Sequence, residues 1–392
     1  MADVSATKIG NLDVDMQISF ISPTANLGGG TRVIAIYAEQ LKRMGHTIRI
    51  ISTPPRDLPL HRKFKSWVRG AGWPKVPLRH ESHLDGIDVD HHVIDRWRPV
   101  TDGDVPGGDI VIATWWETAQ WVAALSASKG AKVYFIQAHE VFKFQPEGLV
   151  RATYRLPFHK IVISHWLQRV MNEQYGDATV DFVPNSVDPM QFFAPVRGKQ
   201  SSPSVGFLYA GSHFKGLDIT LAALEMLRSR IPNVRIISFG AERPIDSLPL
   251  PKGAEFFHVP PQHEIRNIYA RCDVWVSASR KDEGFNLPAL EAMACRTPVV
   301  STRAGWPEEA IKSRWNGVLV DVDDVQGLTD GLEWVLSRAD QEWRNLSANA
   351  YATATAGSWE ASAKLFEKAL EHACRRSMRG EIGGECRMRS KS

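Results

Sequence analysis

The chain is poor in cysteine. Four occur in 392 residues, Cys272, Cys295, Cys374 and Cys386, and none falls at C-x-x-C spacing. That pattern indicates neither a zinc site nor a disulfide framework, and it fits a reducing compartment. Excess charge of one sign is also missing. With Lys+Arg 47 against Asp+Glu 44, the net charge of +3 is too small to argue for nucleic acid as a main partner. No uncharged apolar run approaches the ~20 residues that a membrane-spanning helix needs. The polar, acidic opening 1–15 reads as an unstructured leader and not as a signal peptide. A cytoplasmic protein is the expectation. What remains is an ordinary globular composition, 43% hydrophobic and 23% charged, in a chain long enough for two domains.

A dinucleotide signature is absent where it would be sought first. Residues 17–22 read as a strand and 23–30 as a loop ending in Gly28-Gly29-Gly30. A helix carries Val33, Ile34, Ile36, Tyr37 and Leu41 at helical spacing and stops at Gly45, before a strand over 47–52. This βαβ opening lacks G-x-G-x-x-G and a well-placed ribose acid, which discounts a dinucleotide. The glycine triplet is either a tight turn or a loop that a ligand approaches closely. Further strands are expected over 109–113, 132–137 and 161–164, with a short one at 179–183. The 132–137 strand ends at Ala138-His139-Glu140, on the face where open α/β sheets bind ligands. Pro184-Asn185 leads into a Pro-, Gly- and Ser-containing crossover at 195–203, the expected domain boundary. Strands over 204–210, 234–239, 254–259, 273–277 and 317–320 build a second domain. Helices follow at 324–337 and 341–354, and another runs from Ser358 to about Ala373; the basic residues 374–392 read as a disordered tail.

The most informative stretch is Lys281-Asp282-Glu283-Gly284-Phe285-Asn286-Leu287-Pro288-Ala289-Leu290-Glu291. A buried strand at 273–277 enters it, and Pro288 suits the first position of a helix. Gly284 permits close approach of backbone to a ligand. The free N–H groups of the helix start favour an anion such as a diphosphate. Glu283 and Glu291 would repel that anion, so hydroxyl donors are their natural partners. A polyhydroxylated ligand with a diphosphate satisfies both demands. Taken alone, Glu291 reads as a helix-stabilising acid and Glu283 as a solvated loop residue.

Glu283 and Glu291 inside Glu-Gly-Phe-x-Leu-Pro-x-Leu-Glu-Ala-Met-Ala resemble the E-x7-E signature of retaining glycosyltransferases of family 4. Val183-Pro184-Asn185-Ser186-Val187-Asp188, Lys215-Gly216, Pro307-Glu308 and Asn316-Gly317 match the same family in order, over roughly residues 16 to 373. The resemblance implies a GT-B fold: a first Rossmann-like acceptor domain at 16–195, a nucleotide-sugar donor domain at 196–356, and a helix at 357–373 crossing back. It implies retaining transfer of a sugar from a nucleotide-diphosphate sugar, the co-substrate, to an acceptor hydroxyl on a glycan or lipid-linked molecule, in surface polysaccharide or glycan assembly. His139 and Glu283 would be catalytic. Gly29, Gly30, Asn185, Lys215, Gly284, Phe285, Asn286, Leu287 and Glu291 would bind the donor. No cofactor or metal is expected. Two departures stand out: Ser212 where the family carries an arginine, with Arg280 or Lys281 as substitutes for the charge, and Arg296 where a glycine is usual. Rival readings are a sugar-nucleotide epimerase or hydrolase on the same fold and a silent sugar-nucleotide-binding protein.

Residues 61–79 hold Arg62, Lys63, Lys65, Arg69, Lys75 and Arg79 among Phe64, Trp67, Val68 and Trp73, with no acid. They read as a membrane-surface element at the inner membrane face, an anionic-acceptor groove, or a solvated loop. Asp-x-Asp pairs at Asp13/Asp15, Asp88/Asp90 and Asp321/Asp323 suit a hard cation elsewhere, yet none sits where this fold would place a donor.

Overall fold

The computed structural model describes residues 15–68, 72 and 80–387, without the side chains of Arg62 and Ser66. The leader up to 14, the end from 388, and Arg69, Trp73, Lys75 and Arg79 lie outside the described residues.

The first half alternates β1 Gln17–Ser22, α1 Gly29–Arg43, β2 Thr47–Ser52, α2 Leu60–Val68, β3 Asp90–Val93, β4 Ile110–Ala113, α3 Trp116–Ala124, β5 Ala131–Ile136, α4 Glu147–Thr153, β6 His159–Val162, α5 His165–Tyr175 and β7 Asp181–Phe182. The second half runs β8 Ser204–Leu208, α6 Leu217–Arg230, β9 Arg235–Gly240, β10 Glu255–His258, α7 Gln262–Ala270, β11 Val274–Ser277, α8 Leu287–Ala294, β12 Val299–Thr302, α9 Trp306–Ala310, β13 Gly317–Val320, α10 Val325–Leu336, α11 Asp340–Ala354 and α12 Trp359–Met378.

Each half is a parallel sheet. The seven-stranded sheet is ordered β3-β2-β1-β4-β5-β6-β7, and the six-stranded one β10-β9-β8-β11-β12-β13. The central strands β4 and β5 are buried at every position, as helices on both faces require, and the one charged residue among them, Lys132 of β5, donates to the Ala123 and Leu125 carbonyls. The strand order reverses between β1 and β4 in one sheet and between β8 and β11 in the other. Loops diverge at such switch points and leave a crevice beyond the carboxyl ends of the strands.

The last helix returns to the first sheet. Ser358 caps α12 by accepting from the Ala361 N–H (3.1 Å). The buried face of α12, with Trp359, Phe366 and Leu370, packs on α1; the Tyr37 ring stacks on Phe366 at 4.5 Å. Farther along, His372 Nδ1 and His159 Nε2 each lie 2.9 Å from Asp181 Oδ2.

Residues 374–387 are not a disordered tail. α12 continues to Met378, and Cys374 and Cys386 form a disulfide. Ile382 is buried, the Gly383 N–H donates to the Pro157 carbonyl (2.8 Å), and the Lys132 N–H donates to the Gly383 carbonyl (2.9 Å). The basic residues are neutralised locally, Arg376 and Arg379 by Glu381 and Arg387 by Glu385. Counting basic residues overlooked these partners. The disulfide also corrects the expectation drawn from cysteine spacing, since C-x-x-C spacing does not report on two cysteines brought together by a chain reversal. Among the described residues, no helix is long and apolar enough to cross a membrane.

Candidate active site

A cleft of about 820 Å³ opens between the two sheets, lined by the loops after β1, β4, β8 and β11 and by the start of α1. Gly29, Gly30, Asn185, Lys215, Glu283, Gly284, Phe285, Asn286, Leu287 and Glu291 all line it.

The loop from β11 to α8 is held from behind. Asn286 caps α8 in the left-handed conformation (φ 77°), which Asn tolerates better than most residues. Its Nδ2 donates to Ser277 Oγ (2.7 Å) and closes the loop on the strand that feeds it. Helix α8 starts at Leu287, so Pro288 is its second residue. Gly284 is required by the protein itself. A Cβ there would lie 1.9 Å from the Gln137 carbonyl oxygen, so the two domains meet backbone to backbone. Gly29 and Gly30 belong to the first turn of α1, one step later than a loop would have them, and expose its N-terminal N–H groups without side chains over them.

Both carboxylates are buried and each is held by one cation. Glu283, 5% exposed, accepts from Lys215 Nζ (2.6 Å) and from Ser279 Oγ (2.9 Å). Glu291, 4% exposed, pairs with Arg32 and accepts from the Tyr269 hydroxyl (2.8 Å). Burial, with Glu291 alongside, pushes that phenol well above its ordinary value, so it stays a donor. A single 3₁₀ turn, His213–Lys215, presents Lys215. It ends at Gly216 (φ 60°), where a Cβ would lie 1.9 Å from the Ala278 carbonyl oxygen. The N-termini of α1 and α8 add partial positive charge to the same cleft. The buried Asn185 Oδ1 has no protein partner.

His139 does not join this group. It is 7% exposed and absent from the cleft lining. Its Nε2 lies 2.7 Å from the Tyr175 hydroxyl, and its ring packs against Tyr154 and Trp166. Burial, then the nearby Arg151, lowers its pKa to about 4. The residue that emerges from β5 into the cleft is Gln137, whose Nε2 donates to the Gly30 carbonyl (3.2 Å). The first position past a strand's carboxyl end was a signal for it, but a histidine two residues later drew attention away.

Arg32 is the second residue missed. It stands 259 positions from Glu291 in the chain, so only its place in the first turn after the glycine triplet pointed to it. Neither substitute for the missing arginine serves. Arg280 is bound by Asp218, Asp323 and the His213 carbonyl. Lys281 lines a separate cavity of about 490 Å³ with Trp166, Arg169 and Arg303. Ser212 is exposed and outside the lining. Arg296 takes a left-handed φ of 59° where glycine would be relaxed, and its guanidinium rests 4.0 Å over Tyr351, away from the cleft.

Of the acid pairs, Asp88 is bound by Lys42 and Asp90 by Arg49. Among the described residues, His159, Asp181 and His372 are the group with metal-ligand atoms near one another, within 4.8 Å. Arg376 Nη1 lies 3.3 Å from His159 Nδ1, so His159 bridges a cation and a carboxylate, a hydrogen-bonded clasp of α12 to the sheet.

Residues 193–353 match the family described as "Glycosyl transferases group 1". Over 180 residues, 42% of this chain and 42% of the relative's length, the chain is 33% identical to D-inositol 3-phosphate glycosyltransferase of Corynebacterium urealyticum. Over 108 residues it is 41% identical to the enzyme of that name from Streptosporangium roseum, covering 26% of this chain and 23% of the relative. The chain thus spans less than half the length of these relatives. Sucrose-phosphate synthase from Thermosynechococcus elongatus superposes with a TM-score of 0.67 at 15% identity, over 91% of this chain and 98% of its own. HepE of Anabaena, in complex with UDP and glucose, does so with a TM-score of 0.66 at 18% identity, over 91% and 100%. The fold is therefore the GT-B arrangement of two facing parallel-sheet domains, and its second half is similar to the glycosyl transferases group 1 model.

Proposed function

We propose that this chain moves a sugar from a nucleotide-diphosphate sugar to an acceptor hydroxyl, with retention at the anomeric carbon. The observation that carries this is the pairing of Glu283 with Lys215 and of Glu291 with Arg32 in one cleft. A diphosphate entering between the two cations takes over their charge. The released carboxylates then accept hydrogen bonds from hydroxyls, Glu283 from the sugar and Glu291 from the ribose. Buried carboxylates that exchange a cation for hydroxyl donors keep their acceptor sites filled. Asn185 Oδ1, without a protein partner, accepts from a further hydroxyl. Much of the barrier lowering comes from electrostatic stabilisation of the departing diphosphate by Lys215, Arg32 and the N–H groups near Gly284. The leaving phosphate helps to deprotonate the acceptor on the same face.

The acceptor is a glycan or lipid-linked molecule reached from a membrane surface. Leu60, Phe64, Trp67 and Val68, at i, i+4, i+7 and i+8 of α2, are all more than half exposed, whereas Lys63 turns inward to Asp57. An apolar stripe facing water is the reverse of ordinary packing, and it suits an interfacial helix.

Acceptor-dependent release of nucleoside diphosphate, measured over a panel of nucleotide sugars, tests the proposal. Turnover without acceptor would point to a hydrolase, an isomerised donor to an epimerase, and binding without turnover to a silent binding protein.

A further inference from the structure

The chemistry proposed above leaves one wall of the cleft unused. Between β5 and α4 a turn closed by the Gln145 N–H on the Phe142 carbonyl (2.8 Å) holds Phe144 outward, 76% exposed. The Phe144 ring lies parallel to Phe142, with centroids 5.5 Å apart and planes 8° apart. Phe142 is buried and stacks also on Trp115 (6.4 Å, 22°) and, across the domain boundary, on Phe214 (5.3 Å, 23°). All four rings line the cleft. Phe214 immediately precedes Lys215, so a continuous aromatic strip runs from the rim of the cleft to the phosphate cation.

Folding does not ask for Phe144. Phe142 already has Trp115 and Phe214 against it, and an exposed phenyl ring forgoes the stabilisation of burial. An aromatic surface held open at a cleft rim is a ligand surface. Its surroundings select the ligand: Thr114, Glu117 and Glu242 line the same cleft. A prenyl chain laid there would desolvate these polar groups without pairing them. A saccharide offers a C–H face to the rings and a rim of hydroxyls to the polar groups.

We propose that Phe144, held from behind by Phe142, and Trp115 form a stacking platform for the second and later units of a saccharide acceptor. This site then takes the end of an oligosaccharide in preference to a single small polyol. The proposal rests on the glycosyl-transfer reading for its acceptor.

The test is calorimetric titration of the full chain, saturated with UDP, with α- and β-linked hexose series from mono- to tetrasaccharide and with farnesyl phosphate. Affinity is expected to rise with saccharide length in one series. Phe144→Ala should weaken the tetrasaccharide roughly three- to tenfold while leaving the monosaccharide unchanged, and Phe144→Trp should restore it. Absence of saccharide binding, equal losses at every length, no loss in Phe144→Ala, or a Phe144-dependent affinity for farnesyl phosphate in place of saccharide would each overturn the platform. A wild-type chain that bound oligosaccharide but no UDP, GDP or ADP would overturn the donor reading and leave the platform standing.

Discussion

Glu283 and Glu291 are each buried against one cation, so removing a cation has two consequences. Lys215→Ala deletes a charge-assisted contact to diphosphate, which costs roughly 1.5–3 kcal/mol, or one to two decades of affinity. It also leaves the buried Glu283 carboxylate without its cation, so stability should fall as well. Affinity for the nucleoside alone should barely move. Arg32→Ala should act in the same direction. Ser212→Arg should rescue neither variant, because Ser212 is exposed and does not line the cleft. Calorimetry with nucleoside and nucleoside diphosphate separates these outcomes; equal losses for both ligands would remove Lys215 from the phosphates. His139 supplies a pH-dependent test at the same scale. Its pKa is about 4 when folded, against an ordinary value of 6.5. Between these values the unfolded chain binds a proton that the native one refuses. His139 therefore contributes stability that is present above pH 6.5 and is lost as pH falls toward 4, at most on the order of 3 kcal/mol. Glu140, buried and raised well above its ordinary value, slopes the other way but is common to wild type and variant. Urea melts of wild type and His139→Gln should thus converge as pH drops; parallel curves would contradict the buried, neutral imidazole.

Elements differed in how far local chemistry determined them. The central strands are visible as apolar runs because each is covered on both faces, whereas the polar, half-exposed edge strand β3, Asp90–Val93, gave no such signal. α2 is a different case, since its apolar residues Leu60, Phe64, Trp67 and Val68 are more than half exposed. Vesicle sedimentation should show binding through Phe64 and Trp67. Exchanging both for serine removes two half-exposed aromatics from an interface, worth about 2–3 kcal/mol and one to two decades of partitioning. Lys65→Ala should instead reduce the preference for anionic lipid and its loss at high salt. Equal sedimentation of wild type and the double serine variant would return α2 to the solvent. The end of α12 was misjudged because its order depends on partners far away. Gly384 lies against the Gly130 carbonyl, where a Cβ would come within 1.9 Å, and Cys386 meets Cys374. No local composition reports such contacts.

At the scale of the whole molecule, the seam between the sheets is set by Gly284 against Gln137. Gly284→Ala places a methyl group where the Gln137 carbonyl oxygen lies 1.9 Å away, and backbone cannot yield that much locally. The domains should part, raising the radius of gyration in small-angle scattering and weakening nucleoside diphosphate binding by at least about a decade, since Arg32 comes from one domain and Lys215 from the other. Unchanged scattering with full affinity would show that the seam tolerates a side chain.

By itself the sequence determined most of the strands and helices of two α/β halves and the loop holding Glu283, Gly284 and Glu291. Each rests on period, turn chemistry or short spacing, which are properties of neighbouring residues. Tertiary structure decided the rest. It turned His139 toward Tyr175, where a ring finds aromatic packing and a hydrogen bond, and let Gln137 face the cleft. It brought Arg32 to Glu291 across 259 positions, and it stacked Phe142 on Phe214 across the domain boundary. Such pairings depend on which surfaces remain uncovered once both sheets have folded, and that outcome is a property of the closed cleft and not of any stretch of chain.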